Sequence, residues 1–451
     1  MDRVQVAVVG GGPAGYVTAR RLGQLGLECV LVERAHLGGT CLNWGCIPTK
    51  ALYSATHVLA RRETYARMGL SVETRVDLAR LRAWVGEVVA QLRSGIEKLL
   101  AASKVEVVQG QASLIGPGKL RIRGGQGEWE LAAQAIVLAT GSAAVELRGL
   151  PFEGERVWSS DHALMLNKVP ERLVVVGGGV IGLEMATIYR RLGSQVTVVE
   201  MMDTLLPGVG VSRRGEMFLR QALKKQGIEI RLSCQAEGLG RETVVVRTPS
   251  GTEGIPAEVV LVAVGRKPQL QGLGLETVGI STDKGFVVTD ERFQAAPGIY
   301  AIGDLRGGWL LAHKASHEGL VLADHLAGRE VSQHELFVPQ AIFTQPEVAL
   351  VGKTEGPGLK VGRFPFGALG RAWAEGEPEG YAQIAADESG RVVGAEIIGP
   401  HASDLIAEAT LAVEKNLTLE EFAAAVHAHP TFPEALWEAV LAALSRPLHT
   451  A

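Results

Sequence analysis

Two stretches of this chain repeat one order of apolar, glycine and acidic positions. Val4 to Val9 is almost wholly apolar and reads as a buried parallel strand. It runs into Gly10-Gly-Gly12-Pro-Ala-Gly15, then a predicted helix to about Gln24, then a second strand from Cys29 to Val32 that ends on Glu33. The order returns at Leu173 to Val176, Gly177-Gly178-Gly179-Val180-Ile181-Gly182, a helix, and Gln195 to Val199 ending on Glu200. From first glycine to acid is 23 residues in both copies. Beyond about residue 337 the pattern changes to a strand-rich stretch followed by helices near Asp404 to Lys415 and Leu419 to Ala425. Gly356-Pro-Gly358 and Glu375-Gly-Glu-Pro378 read as turns.

Glycine at these positions permits a tight turn and a close approach of backbone to a pyrophosphate at the helix N-terminus. The acid at the end of the second strand accepts hydrogen bonds from a ribose. A lone glycine motif is weak evidence. Here each copy stands between a strand and a helix, with its acid at the right distance, so two dinucleotides are expected. Glu200 binds a 2′-hydroxyl and repels a 2′-phosphate, and Met201 to Leu206 supply no arginine, so the second copy favours NAD over NADP.

Composition narrows the class. The chain has 451 residues, enough for about three domains at roughly 150 residues each. A net charge of -4 gives no basic field for nucleic acid. No apolar run approaches the roughly 18 residues of a membrane span. The first ten residues enter a strand without a basic or apolar leader. Four cysteines in this length do not make a secreted scaffold. A cytoplasmic protein is expected, without a nucleic-acid or membrane partner.

Two of those cysteines stand close together in Leu37-Gly-Gly-Thr40-Cys41-Leu-Asn-Trp44-Gly-Cys46-Ile-Pro-Thr-Lys50. Zinc is disfavoured, because no second Cys or His pair stands nearby at ligand spacing. Thr40 is expected to cap a helix that places Cys41 in its first turn, where the dipole favours thiolate. Positions i and i+5 of an ideal helix lie about 8.7 Å apart at Cα, beyond the roughly 7 Å limit for a disulfide. A bond between them requires a distorted helix, which Gly45 and Pro48 would allow. Cys29, inside a strand, and Cys234 read as packing residues. Near the C-terminus, His427-Ala-His429-Pro-Thr-Phe-Pro-Glu434 offers two histidines and a carboxylate.

The cysteine segment resembles the active-site motif of the flavoprotein disulfide reductases, the class I pyridine nucleotide-disulfide oxidoreductases. The resemblance runs nearly end to end. It includes Ala263-Val-Gly265-Arg266-Lys-Pro268, Tyr300-Ala-Ile-Gly303-Asp304, Ala312-His-Lys-Ala315, Phe343-Thr-Gln-Pro346-Glu-Val and His427-Ala-His429-Pro-Thr431. It implies an α/β fold of two Rossmann-like nucleotide-binding domains, glutathione reductase-like, plus an α+β C-terminal dimerisation domain. The expected boundaries are 1–142 for FAD, 143–266 for NAD, 267–336 for a central domain completing the FAD site, and 337–451 for the interface.

By the same resemblance, FAD takes Gly10, Gly12, Gly15, Glu33, Thr40, Lys50, Ala112, Thr140, Ser142, Asp304 and Ala312. NAD takes Gly177 to Gly182, Glu184, Glu200, Ala236 and Gly265. Lys50 and Glu184 resemble the ion pair at the flavin N5 edge. Cys41 and Cys46 form the redox disulfide. His429 is the base, with Glu434 on its other ring nitrogen, and it serves the disulfide of a partner subunit in a homodimer. The implied reaction is oxidation of protein-bound dihydrolipoyl groups to lipoyl with NAD+. The partner is the lipoyl domain of a 2-oxo acid dehydrogenase or glycine cleavage complex. Mercuric reductase would carry a C-terminal cysteine pair, but no cysteine follows Cys234. Glutathione reductase would carry arginines near Glu200. A flavin-binding scaffold without turnover would not keep Cys41, Cys46, His429 and Glu434 together. Trp44 and the stretch Ala368 to Trp373 depart from the family pattern, and Trp44 is expected either to narrow the lipoyl channel or to alter carrier preference.

Overall fold

The computed structural model describes residues 3–125, 127–330 and 337–450. The chain forms two compact units, each built from three segments. The first comprises 1–52, 77–145 and 265–334; the second comprises 53–76, 146–264 and 335–451.

The first unit is centred on β1 (Arg3–Val9), which lies parallel between β2 (Cys29–Glu33) and the strand Gly127–Leu138. Strands Glu106–Gln109 and Ile299–Ala301 extend the sheet in parallel on either side. Val6, Val8 and Leu31 face a core with Leu22 and Leu100, while Val4, Ala7 and Val30 face another with Ile122 and Ile136. That burial on both faces is why β1 is an apolar run rather than an alternation. β1 feeds α1 (Pro13–Gln24), where Pro13 takes the first turn without losing a hydrogen bond. α1 packs on the helix Ala312–Leu326 at Gly319, where an added Cβ would lie 2.6 Å from Thr18 Oγ1 and 2.8 Å from Ala14 O.

Two short steps follow β2: α2 (Gly39–Trp44) and α3 (Cys46–Ala60). The amphipathic α4 (Leu78–Ala102) is capped by Asp77, whose side chain accepts from Arg80 N at 3.0 Å.

The second unit repeats the nucleotide-binding order. β3 (Arg172–Val176), α5 (Val180–Leu192) and β4 (Gln195–Val199) sit in a five-stranded parallel sheet with Ile228–Arg231, Val259–Val262 and Val157–Trp158. A three-stranded antiparallel sheet follows. The C-terminal part is a five-stranded antiparallel sheet covered by α6 (Ala402–Glu414), α7 (Leu419–Ala423) and α8 (Glu434–Ala443). Its core joins Phe364, Phe366, Ile384 and Ile397 with Leu405, Phe422 and Leu436. The divergent stretch after Ala368 forms a short helix, Gly370–Glu375, closed by Gly376 in left-handed geometry. Among the described residues no helix is long and apolar enough to cross a membrane.

Candidate functional site

The two glycine loops match atom for atom. Glu33 accepts from Gly11 N and Ala35 N, each at 2.6 Å. Glu200 accepts from Gly178 N at 2.6 Å and Met202 N at 2.7 Å. Each carboxylate is therefore buried and pinned by two backbone donors, one from the glycine loop and one two residues downstream.

The chain itself demands glycine at the first and last loop positions. A Cβ on Gly15 would meet Gly10 O at 1.8 Å, and one on Gly182 would meet Gly177 O at 2.0 Å; Gly10 and Gly177 hold φ near +105° and +113°. The middle glycines differ. Gly12 and Gly179 cap their helices in extended geometry. A Cβ on Gly12 would come only within 3.9 Å of Gly39 Cα, and one on Gly179 would meet nothing within 4 Å. No protein atom requires glycine there. The open backbone in front of each helix fits the pyrophosphate of a dinucleotide.

The remaining dinucleotide candidates fall on both units. In the first, Ser142 donates to Asp304 Oδ2 at 2.5 Å and accepts from Arg266 Nε at 2.8 Å. Thr140 donates to Gln269 O at 2.9 Å. Ala312 begins its helix. Ala112 is a core residue of the strand Gln111–Gly116. In the second, Val180 and Ile181 open α5, half-buried. Glu184 accepts from Phe343 N at 3.1 Å. Ala236 sits at a bulge beside the core, and Gly265, which belongs to the first unit, holds φ +129° with open space around it.

The cysteines occupy different helices. Cys41 lies in α2 and Cys46 is the first residue of α3, with Gly45 between them leaving helical geometry at φ -144° and ψ -109°. The regular helix is broken at Gly45, one of the two residues expected to allow the distortion a bond would need. The capping expectation was wrong: Gly38, left-handed at φ +90°, precedes the helix, and Thr40 is inside it. A Cβ at Gly38 would lie 2.3 Å from the Leu42 side chain, so glycine sets the turn two residues before threonine.

The thiolate expectation for Cys41 also fails here. Both cysteines are unbridged. A hydrogen bond with Cys46, burial, and the like charge of the Cys46 thiolate push the Cys41 thiol up, while the Lys50 charge acts against this rise. In the unbridged pair the neighbouring sulfur and burial outweigh the helix end. Trp44 closes α2 with its ring 5.7 Å from that of His36. Cys29 is a core residue, and Cys234 is buried with its thiol donating to Leu232 O at 3.1 Å.

Several positioning groups escaped the sequence reading. Asn43 donates to Leu37 O at 3.0 Å and Gly39 O at 2.8 Å, and its carbonyl accepts from Arg93 Nε at 3.1 Å and Nη2 at 2.5 Å. The redox segment is thereby tied to α4. Tyr16 stands close enough to Cys41 for the thiolate charge, after burial, to push its phenol up. Glu318 accepts from Gly303 N at 2.6 Å and Arg306 Nη1 at 2.7 Å, with Lys314 3.0 Å away, and so braces the turn that carries Asp304. The charges of Lys314 and Glu318 were visible, but their partners lie on a turn whose shape was not.

At the C-terminal end His429 Nδ1 lies 2.8 Å from Glu434 Oε1, and Glu434 Oε2 accepts from Thr431 N at 2.7 Å. The His429 side chain is 79% exposed and that of Glu434 20%. The carboxylate is held and the imidazole is presented outward, as a base serving another molecule requires.

Comparison with known proteins agrees with this geometry. Residues 4–319 match the model for pyridine nucleotide-disulphide oxidoreductase, and 338–440 match that for the pyridine nucleotide-disulphide oxidoreductase dimerisation domain. The chain is 41% identical to a dihydrolipoyl dehydrogenase of Thermus scotoductus, covering 100% of this chain and 99% of the relative. Identity to the dihydrolipoyl dehydrogenase of Haloferax volcanii is 42%, over 99% and 97% of the two chains. Among solved structures, LpdA from Mycobacterium tuberculosis superposes with a TM-score of 0.89 at 27% identity, over 98% of this chain and 99% of that one. A flavoprotein disulfide reductase, RclA from Escherichia coli, gives 0.86 at 27% identity, over 98% and 99%.

Proposed function

This chain belongs to the pyridine nucleotide-disulphide oxidoreductases, and from that membership we propose that it oxidises protein-bound dihydrolipoyl groups to lipoyl with NAD+. The observation that carries the reading is the pairing of two chemistries: vicinal sulfurs across a broken helix, and a carboxylate-held histidine exposed to solvent. FAD and NAD are its cofactors, and together they carry the electron pair from the cysteines to the nicotinamide. Gly10, Gly12, Gly15, Glu33, Thr40, Lys50, Ala112, Thr140, Ser142, Asp304 and Ala312 hold FAD; Gly177 to Gly182, Glu184, Glu200, Ala236 and Gly265 hold NAD. We assign 1–142 to FAD, 143–266 to NAD, 267–336 to completion of the FAD site and 337–451 to the interface.

The dimerisation domain supports a homodimer. In it, His429 of one subunit takes a proton from the substrate dithiol, and Glu434 stabilises the imidazolium that results. The substrate thiolate attacks Cys41 in the disulfide of the other subunit, expelling Cys46 as thiolate. The second substrate sulfur then displaces Cys41 from the mixed disulfide. Lipoyl leaves, and both cysteines hold the two electrons as thiol and thiolate. Glu200, already pinned by two backbone donors, receives the ribose 2′-hydroxyl of NAD without reorganisation. The substrate is the lipoyl domain of a 2-oxo acid dehydrogenase or glycine cleavage complex, in the cytoplasm.

Steady-state assays with dihydrolipoamide, glutathione and mercuric ion, each with NAD and NADP, test this. The expected result is turnover of dihydrolipoamide with NAD at least tenfold above every other combination. Failure with dihydrolipoamide and NAD would sink the reading.

A further inference from the structure

The segment that carries His429 has little to hold it. Between Ala424 and Pro430 every side chain is exposed except that of His427, and Val426 is fully so. His427 turns inward, its side chain only 7% exposed. Its ring stacks on Phe422 at 6.0 Å and 14°, and the ring of Trp437 of α8 lies 6.3 Å from it at a tilt of 34°. The ring nitrogens are both engaged: Nδ1 lies 3.1 Å from Ala425 O and Nε2 lies 2.8 Å from Glu408 Oε1 on α6. Both partners can only accept, so each ring nitrogen faces an acceptor of the chain itself. His429, two residues on, has Nδ1 engaged by Glu434 and a largely exposed ring.

We propose that His427 and Glu408 are positioning residues for the thiol half of the reaction, a second histidine–carboxylate pair that fixes the segment on which His429 is presented. Trp437 Nε1 donates to Ala423 O at 3.0 Å and Glu434 accepts from Thr431 N, so the segment is tied at its two ends. Inside it, Thr431 Oγ1 donates to Ala428 O at 2.6 Å, and the His427–Glu408 bond anchors the segment to α6. His427 supplies the one buried side chain between Ala424 and Pro430, and the bond to Glu408 fixes the orientation of its ring. A base misplaced by about 1 Å loses up to about a hundredfold in rate. The inference rests on the reading of His429 as the base.

The test uses the FAD-loaded dimer under anaerobic conditions, following flavin reduction by dihydrolipoamide and, separately, by NADH. Glu408→Ala should slow reduction by dihydrolipoamide about tenfold and leave reduction by NADH within twofold. Glu408→Gln keeps an acceptor oxygen and should recover the thiol rate to within threefold of the parent. Amide hydrogen exchange over 424–430 should quicken in Glu408→Ala and stay near the parent in Glu408→Gln. A thiol rate within twofold of the parent in Glu408→Ala would overturn the proposal, as would an equal fall in both half-reactions. His429→Gln, run in parallel, separates the two failures. If it abolishes the thiol half-reaction while Glu408→Ala changes nothing, only the positioning role falls. If it leaves that half-reaction intact, the base assignment falls and takes the positioning role with it.

Discussion

At the scale of residues, the chemistry depends on how each reactive atom is held. Cys41 is pushed up by its hydrogen bond with Cys46, by burial and by the charge of that neighbour. Cys46→Ala removes the first and third of these causes and leaves Lys50 in place. The pH midpoint for alkylation of Cys41 by iodoacetamide should therefore move down in Cys46→Ala relative to the reduced parent, and an unchanged or higher midpoint would contradict the coupling. His429→Gln should lower kcat for dihydrolipoamide by about 10²–10⁴, the range for losing a general base, with NADH-driven flavin reduction unaffected. Much of this scale was legible. The His429–Glu434 contact implied by the family resemblance is present, whereas Glu33 and Glu200, read as ribose acceptors, also accept from their own glycine loops, which the sequence reading had not foreseen. Asn43 with Arg93 was not legible, since their contact spans 50 residues with no periodic signal between them. Nor was the cap at Gly38, because a left-handed glycine and a threonine cap look alike in sequence until Leu42 is seen to fill the space.

At the scale of elements, the glycines separate folding from binding. Gly182→Ala places a methyl 2.0 Å from Gly177 O, which should cost about 1–3 kcal/mol as overpacking and lower the melting temperature. Gly179→Ala meets nothing within 4 Å. It should leave the melting temperature unchanged while weakening NAD binding by tenfold or more; unchanged affinity would show that the open space is not the nucleotide's. α3 carries a second testable group beyond the redox cysteine. Burial, then the charges of Arg191, Arg61 and His401, push His57 down to about 4. The unfolded chain binds this proton near the ordinary pKa of about 6.5, so His57 costs stability as pH falls from there toward about 4. Melting temperatures of His57→Asn should fall less than those of the parent between pH 7 and pH 4.5; parallel curves would contradict the shift. The strands of the two repeats were legible to within a residue or two, and in the first repeat the apolar runs are buried on both faces. The break between α2 and α3 was expected only for a bonded pair, since i to i+5 is too long for a disulfide on a regular helix, and it is present at Gly45 with the cysteines unbridged. The short helix at Gly370 was not, because it is ended by a local glycine turn and has no long apolar face.

At the scale of the whole molecule, the account requires two chains. The matched dimerisation domain and the outward presentation of His429 agree with a homodimer in which each base serves the other subunit's disulfide. Co-expression of differently tagged Cys46→Ser and His429→Gln chains, followed by isolation of the heterodimer, tests this most directly. One site of that heterodimer carries both lesions, and the other pairs intact cysteines with an intact base. The account predicts that each parent homodimer is nearly inactive with dihydrolipoamide and NAD while the heterodimer regains about half of the wild-type rate; a heterodimer as inactive as its parents would contradict it.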